Sequence, residues 1–220
     1  MINELKKLIA EGEGLQLDFK FRIVDQKKIA RTLSAFANTE GGKLLIGVKD
    51  NGKLNGVNPE EEYYMIEGAA AIYCKPEVMF ESRVWQEGHH LVLEILVPKS
   101  EKKHLSKTED DKWKYFVRVN DSTLLANKII VKGWKLIEYG VEKPIKFDKE
   151  TEGLINTVKN DGPLTLSKLY RNSGLSKRKV DDLLTKLVHW DIVFMQIDET
   201  GTRYEISKKI RSYFHTFTDS

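Results

Sequence analysis

Cysteine and long apolar runs are both scarce in this chain of 220 residues. The single cysteine, Cys74, cannot form an internal disulfide, which excludes a disulfide-stapled secreted scaffold. No apolar run approaches the roughly 20 residues of a membrane-spanning helix. The acidic residues in MINELKKLIAEGE also interrupt any signal-peptide core. The sequence therefore predicts a soluble, cytoplasmic protein with no membrane partner.

An excess of positive charge is also lacking. The formal net charge is +3 and the isoelectric point is near 8.7, so affinity for a polyanion has to come from local patches. Hydrophobic residues make up 40% of the 220 residues, which is enough to bury the cores of two small domains.

The most informative segment runs from Ala35 to Val57, AFANTEGGKLLIGVKDNGKLNGV. The first residues of this segment have the apolar spacing of an amphipathic helix and are predicted to be its last turn. The double glycine that follows ends the helix. The apolar run 43–49 predicts a buried strand, and the triplet 50–52, Asp-Asn-Gly, predicts a tight turn. The order predicted is helix, double glycine, buried strand and turn.

Two flanking segments complete a pattern. Upstream, Glu13 to Lys20 reads EGLQLDFK, and downstream, Tyr115 to Thr123 reads YFVRVNDST. With the central segment they resemble the Schlafen-type AlbA domain, whose members are described as DNA-binding domains. The resemblance covers roughly residues 1–140 and departs from the family at Asp18, where Glu is usual, and at Leu124, where a basic residue is usual.

The first domain, residues 1–140, is predicted to be mixed α/β. Residues 99–112 are dense in charge and predict a solvated loop, and Cys74 is predicted as a buried thiol in an apolar helix. The predicted helices are 1–10, one capped by Asp25 and ending at Asn38, one opened by Asn58-Pro59, and 122–139. The predicted strands are 15–22, 43–49, 78–85, 91–97 and 113–119.

A second domain, residues 148–220, follows a predicted linker at 141–147. Its pattern predicts three helices and a β-hairpin, and this order resembles a winged helix-turn-helix. The fold class predicted for the whole chain is therefore α+β. In such a module the third helix, capped here by Ser176, enters the major groove with its N-terminal side chains nearest the bases.

Basic residues at these positions predict contacts with nucleic acid. In the second domain the candidates are Lys177, Arg178, Lys179 and, beside the hairpin tip, Arg203. In the first domain the candidates are Lys20, Arg22 and Arg118. The function predicted is a DNA-binding transcriptional regulator that needs no cofactor, and a homodimer is one expected form.

The resemblance also implies an alternative, because some Schlafen relatives are endoribonucleases with three acidic residues. Glu13, Asp18 and Asp50 match those positions, and Lys20 matches an adjacent lysine. Three converging carboxylates would hold Mg²⁺ or Mn²⁺ for cleavage of structured RNA. A structural interpretation competes: Asp50 is ordinary turn chemistry, Glu13 lies in an exposed stretch, and Asp18 pairs with Lys20. A third alternative is a non-catalytic adaptor that contacts proteins.

Overall fold

The computed structural model describes residues 4–138, 140 and 145–209. It divides into two compact units, Met1–Ala126 and Asn127–Ser220. The division falls before the predicted domain end at residue 140, because Ile129 is buried in the core of the second unit. Of the predicted linker, 141–144 lie outside the described residues, and 145–147 form neither helix nor strand. No helix within the described ranges is both long enough and apolar enough to cross a membrane.

The described part of the first unit forms helices and two four-stranded sheets. Its helices are α1 (Glu4–Glu11), α2 (Gln26–Asn38) and α3 (Pro59–Ile72). The strands of one sheet, in spatial order, are β1 (Leu17–Lys20), β2 (Gly42–Ile46), β5 (His90–Val97) and β4 (Glu81–Glu87). The strands of the other are β3 (Cys74–Lys75), β6 (Leu105–Lys107), β7 (Trp113–Val119) and β8 (Ser122–Leu125). Only the β1–β2 pair is parallel among these pairings.

Helix α2 is central to the first unit. Asp25 caps it, as predicted, by accepting hydrogen bonds from the backbone N–H groups of Lys27 and Lys28. Its apolar side packs in a core with β2 and β5, and the helix also contacts β6 and β7 of the other sheet. Because nearly all of the helix after Lys28 is buried, it holds the two sheets in one structure.

Packing explains the double glycine after α2. Gly41 has φ +71°, where L side chains are strained, and a Cβ there would lie 2.8 Å from the carbonyl oxygen of Val97. A Cβ on Gly42 would collide with the ring of Phe36. These glycines therefore let the chain turn tightly from α2 into the buried strand β2.

Three predictions for the first unit need correction. Residues 122–125 form strand β8, and the helix predicted for 122–139 begins only after Asn127; its predicted last residue, 139, lies outside the described residues. Strand β6 interrupts the predicted solvated loop 99–112, because His104 and Ser106 are buried against β7 and α2. Cys74 is buried as predicted, but on β3, where burial raises its pKa to about 12.

The second unit has the predicted order of three helices and a hairpin, preceded by a fourth helix. Its elements are α4 (Lys128–Glu138), α5 (Lys149–Asp161), α6 (Leu166–Asn172), α7 (Lys177–His189), β9 (Val193–Asp198) and β10 (Gly201–Ile206). Ser176 caps α7 as predicted. The buried face of α7, which includes Val180, Leu184 and Leu187, packs with residues from α4, α5, α6 and the hairpin.

Candidate functional site

Two of the three acidic residues meet in the structure. A carboxylate oxygen of Glu13, Oε1, accepts a hydrogen bond from the backbone N–H of Phe19 at 2.8 Å, so the side chain folds back onto β1. There it lies beside the carboxyl group of Asp18. Desolvation and this neighbouring carboxyl raise the pKa of Glu13, although the Phe19 N–H acts in the opposite direction.

Asp18 is buried between two cations. Its Oδ2 lies 2.8 Å from Nζ of Lys20, and its Oδ1 lies 3.4 Å from a guanidinium nitrogen of Arg118. Only 4% of Asp18 is exposed, and the Arg118 side chain is 2% exposed. The predicted pair of Asp18 with Lys20 is therefore present, and Arg118 adds a second, deeper contact.

Asp50 lies apart from this pair. In the parallel β1–β2 register Asp18 is opposite Leu44, and Asp50 follows the end of β2 in an exposed turn. The side chain that closes the turn belongs to its neighbour, because Asn51 Oδ1 accepts from the N–H of Lys53 at 3.1 Å. Across residues 4–138, 140 and 145–209 no three His, Cys, Asp or Glu side chains are grouped to hold a metal ion. The predicted Mg²⁺ or Mn²⁺ trio does not fit this arrangement.

The carboxyl pair predicts a pH-dependent stability. Because the pKa of Glu13 is raised in the folded chain, its contribution to stability is present below its unfolded pKa and is lost as the pH rises through the folded value. Glu13→Gln keeps an acceptor for the Phe19 N–H and removes the ionisation. We expect this variant to gain stability relative to the native chain as the pH rises from 4 to 7, measured by urea unfolding. A constant difference across that range would contradict the pairing of the two carboxyls.

The predicted basic contacts of the first unit differ in how far their side chains are exposed. Arg118 is not available to a ligand, because its guanidinium donates to the carbonyl oxygen of Gly14 at 2.9 Å and to Thr123 Oγ1 at 3.2 Å. Lys20 is held by Asp18. Arg22 is exposed at the end of β1. Of these three candidates, Arg22 is the one whose side chain is exposed to solvent.

The N-terminal end of α7 carries the corresponding cations of the second unit. Lys177 and Arg178 are exposed, and Nζ of Lys177 lies 5.9 Å from the ring centroid of Tyr170. Lys179 instead forms an ion pair with Glu150 at 2.5 Å. The turn before α7 contains Gly174 at φ +67°, a conformation that suits glycine.

The hairpin tip is less cationic than predicted. Arg203 Nη1 lies 3.6 Å from Asp198, which itself accepts hydrogen bonds from the hydroxyl and the backbone N–H of Thr200. These two bonds lower the pKa of Asp198, so its negative charge is retained beside Arg203. At the tip the positive charge of Arg203 is therefore compensated by the negative charge of Asp198.

The three segments that formed the sequence pattern all lie in the first unit. The match of this unit to a known family decides which family the chain belongs to. The family described as Schlafen, AlbA_2 matches residues 13–127. The chain belongs to this family. The resemblance drawn from the sequence is thus confirmed for the first unit, and the second unit lies almost wholly outside the match.

Two solved structures are similar to this Schlafen AlbA_2 chain. One is the N-terminal domain of an ATP-dependent DNA helicase RecG-related protein from Nitrosomonas europaea, at 24% identity and a TM-score of 0.36, covering 44% of this chain and 74% of that one. The other is the DIP2311 protein from Corynebacterium diphtheriae, at 14% identity and a TM-score of 0.42. That match covers 92% of this chain and 56% of the DIP2311 chain. No curated protein matches the sequence.

A cleft of about 570 Å³ opens beside Glu13 in the Schlafen AlbA_2 unit. It is lined by the loop before β1, by residues 40–43 and by residues 96–99. Both of its lysines are already paired, Lys43 with Glu94 at 3.1 Å and Lys99 with Glu40 at 2.9 Å. Glu11 and Glu13 line the cleft as well, so its lining carries more acidic than basic side chains and makes a poor phosphate site.

Sequence reasoning missed exposed groups in both units. Lys168 and Arg171 are exposed on α6, the helix before α7, and their spacing of three on a short helix was the available signal. In the Schlafen AlbA_2 unit, Phe21 is 42% exposed directly after β1, next to Lys49. The apolar alternation of β1 predicts Phe21 to be buried like Phe19, so its exposure needed the structure.

Proposed function

We propose that this chain is a DNA-binding transcriptional regulator in which the second unit acts as a winged helix. The observation that carries the proposal is the exposed pair Lys177 and Arg178 at the start of α7. Cations at a helix N-terminus oppose the helix dipole, so helix stability does not account for them. A phosphate or a base edge placed there would account for them.

The surroundings of α7 support the same role. Helices α6 and α7 are joined by a short turn that contains Gly174, the arrangement found in helix-turn-helix modules. In those modules the second helix enters the major groove and the first crosses the backbone. Lys168 and Arg171 on α6 would then face phosphates, while Arg203 contributes less because Asp198 compensates it.

The test is duplex binding by the full chain and by Lys177→Ala/Arg178→Ala. We expect the double variant to bind about 10- to 100-fold more weakly, since two contacts are lost. The slope of log affinity against log salt should become shallower by about 2. Fluorescence anisotropy with labelled duplexes between 50 and 200 mM salt measures both quantities.

The matched control is Lys135→Ala/Lys208→Ala, which removes two exposed lysines of the same unit that are on neither α6 nor α7. It should bind nearly as well as the native chain. Equal losses in the two double variants would indicate a general charge effect and contradict readout by α7. A homodimer, which would read two half-sites, is tested by light scattering with and without a palindromic duplex.

One further assay distinguishes the nuclease alternative from the proposed regulator. Incubation with a tRNA pool in Mn²⁺ or EDTA should leave the RNA intact in both. Metal-dependent fragments that disappear in Asp50→Ala would replace the regulator with an endoribonuclease. An adaptor would give neither retardation of nucleic acid nor cleavage.

A further inference from the structure

Exposed groups gather at one end of β1 and β2 in the first unit. Phe21, directly after β1, is 42% exposed, and Nζ of Lys49 lies 5.7 Å from its ring centroid. Backbone bonds from Gly47 and Val48 to the carbonyl oxygen of Lys20 fix the end of β1 beside the chain that leads to Lys49. The ring and the ammonium group are therefore held together by the sheet.

A second lysine completes the cluster. The N–H of Lys49 donates to the carbonyl oxygen of Lys53 at 2.9 Å, and Val48 bridges Leu54 in antiparallel fashion. Lys49 and Lys53 are thus directly opposite each other across the turn, with their side chains on the same face. Neither ammonium forms an ion pair with another of the described residues.

Two features of this arrangement reduce the stability of the fold. Like charges directly opposite each other on a hairpin are destabilising, and an aromatic side chain left 42% exposed forgoes part of its burial free energy. A polyanion with flat apolar groups would offset both costs. Single-stranded nucleic acid has this chemistry, because each unpaired base can stack on an aromatic ring while its phosphate contacts a lysine.

We propose that Phe21, Lys49 and Lys53 form a binding site for single-stranded nucleic acid, separate from the duplex-binding role of α7. An unpaired base stacks on Phe21, and the adjoining phosphate is bound by the two lysines. Asp50, exposed in the same turn, weakens the positive potential of the site rather than holding a metal ion. Duplex DNA, whose bases are already stacked, cannot use the ring in this way.

The experiment measures binding of a labelled oligo(dT) and of a duplex to the full chain by fluorescence anisotropy. Phe21→Ala and Phe21→Leu are expected to weaken oligo(dT) binding roughly five- to a hundredfold, the range found when a stacking ring is lost, and to leave duplex binding unchanged. Phe21→Trp should retain or tighten binding, and its fluorescence should be quenched by the stacked base. Since Phe21 is partly exposed, these variants are expected to fold.

The lysines have their own variants and control. Lys49→Gln/Lys53→Gln should make the salt dependence of oligo(dT) binding shallower by about 1.4 in log–log slope, as expected for two single-strand phosphates. Lys114 is an exposed lysine on β7, and Lys114→Gln should leave the salt dependence of oligo(dT) binding unchanged. Asp50→Asn should tighten oligo(dT) binding.

The outcomes separate this site from the duplex site. Loss of duplex binding alone in the α7 double variant, with oligo(dT) binding intact, supports two sites. Native-like oligo(dT) binding by Phe21→Ala, full rescue by Phe21→Leu, or no binding of oligo(dT) by the native chain at 50 mM salt would overturn the proposal. None of these three results bears on whether α7 binds a duplex.

Discussion

Replacing Asn38 with alanine is expected to destabilise the first unit by about 3–5 kcal/mol, because it leaves three buried backbone groups without partners. Asn38 is 4% exposed at the last turn of α2. Its Nδ2 donates to the carbonyl oxygens of His104 and Phe116 at 2.8 and 2.9 Å, and its Oδ1 accepts from the N–H of His104 at 2.7 Å. One side chain thereby joins α2 to the chain entering β6 and to β7.

Asn38→Asp tests the same bonds without changing the size of the side chain. A carboxylate could still accept from the His104 N–H, but it would face two carbonyl oxygens with no donor, so we expect a loss at least as large as that of the alanine variant. Hydrogen exchange in increasing urea, followed on peptides of each unit separately, measures the free energy of unfolding of the first unit. The second unit serves as an internal reference and should be unchanged.

Asn51→Ala is the matched control, since Asn51 makes a single bond in an exposed turn. It should cost only a few tenths of a kcal/mol. A similarly small effect of Asn38→Ala would mean that the bonds to His104 and Phe116 do not hold the helix to the sheet.

The hydrogen bonds of Asn38 show which features of the fold can be predicted from the sequence and which cannot. The break after α2, the double glycine and the turn at residues 50–52 were predicted from local patterns, because backbone conformation there is set by nearby residues. The role of Asn38 was not predicted, since its partners are 66 and 78 residues away along the chain. Long-range hydrogen bonds leave no periodic signal.

At the candidate site, too, only the contacts between residues close in sequence were predicted correctly. Motif spacing correctly placed Glu13 near Asp18, because only a short loop and the start of β1 separate the two residues along the chain. It failed for Asp50, because the parallel register of β1 and β2 carries that residue past the acidic pair. Motif spacing also did not reveal the ion pairs of Lys179 and Arg203: Glu150 lies on a different helix from Lys179, and Asp198 lies on the strand that faces Arg203 in the hairpin. Pattern alone cannot tell a free cation from a paired one.

Helix and strand assignments failed where burial overrode local composition. Residues 99–112 are rich in charge, yet His104 and Ser106 are buried and Leu105–Lys107 pairs with β7. The charged side chains around them form surface ion pairs such as Lys112 with Asp110 at 2.6 Å. A three-residue strand with polar and charged residues on both sides shows too little alternation for a sequence pattern to detect.

Replacing Arg118 with methionine is expected to cost about 3 kcal/mol of stability in the first unit, because it leaves Asp18 buried beside a single remaining cation. Arg118 also donates to the carbonyl oxygen of Gly14, and its guanidinium lies 5.0 Å from the ring centroid of Phe36. The arginine therefore ties β7 to the loop that precedes β1 and to α2. Arg118→Lys should recover only part of this loss, since an ammonium cannot reproduce the planar fork that reaches Gly14, Asp18 and Thr123 together.

A double-variant cycle separates this structural role from the predicted contact with nucleic acid. Asp18→Asn added to Arg118→Met removes the carboxylate that has lost one of its two cations, so the two changes together should cost less than the sum of the single changes. Arg22→Met, which removes an exposed arginine of the same unit, should change stability by less than about 0.5 kcal/mol. If Arg118→Met were as stable as the native chain but bound nucleic acid more weakly, Arg118 would be a ligand contact after all. We expect the reverse, because a guanidinium that is 2% exposed and bonded to Gly14 and Thr123 presents no edge to solvent where a phosphate could bind.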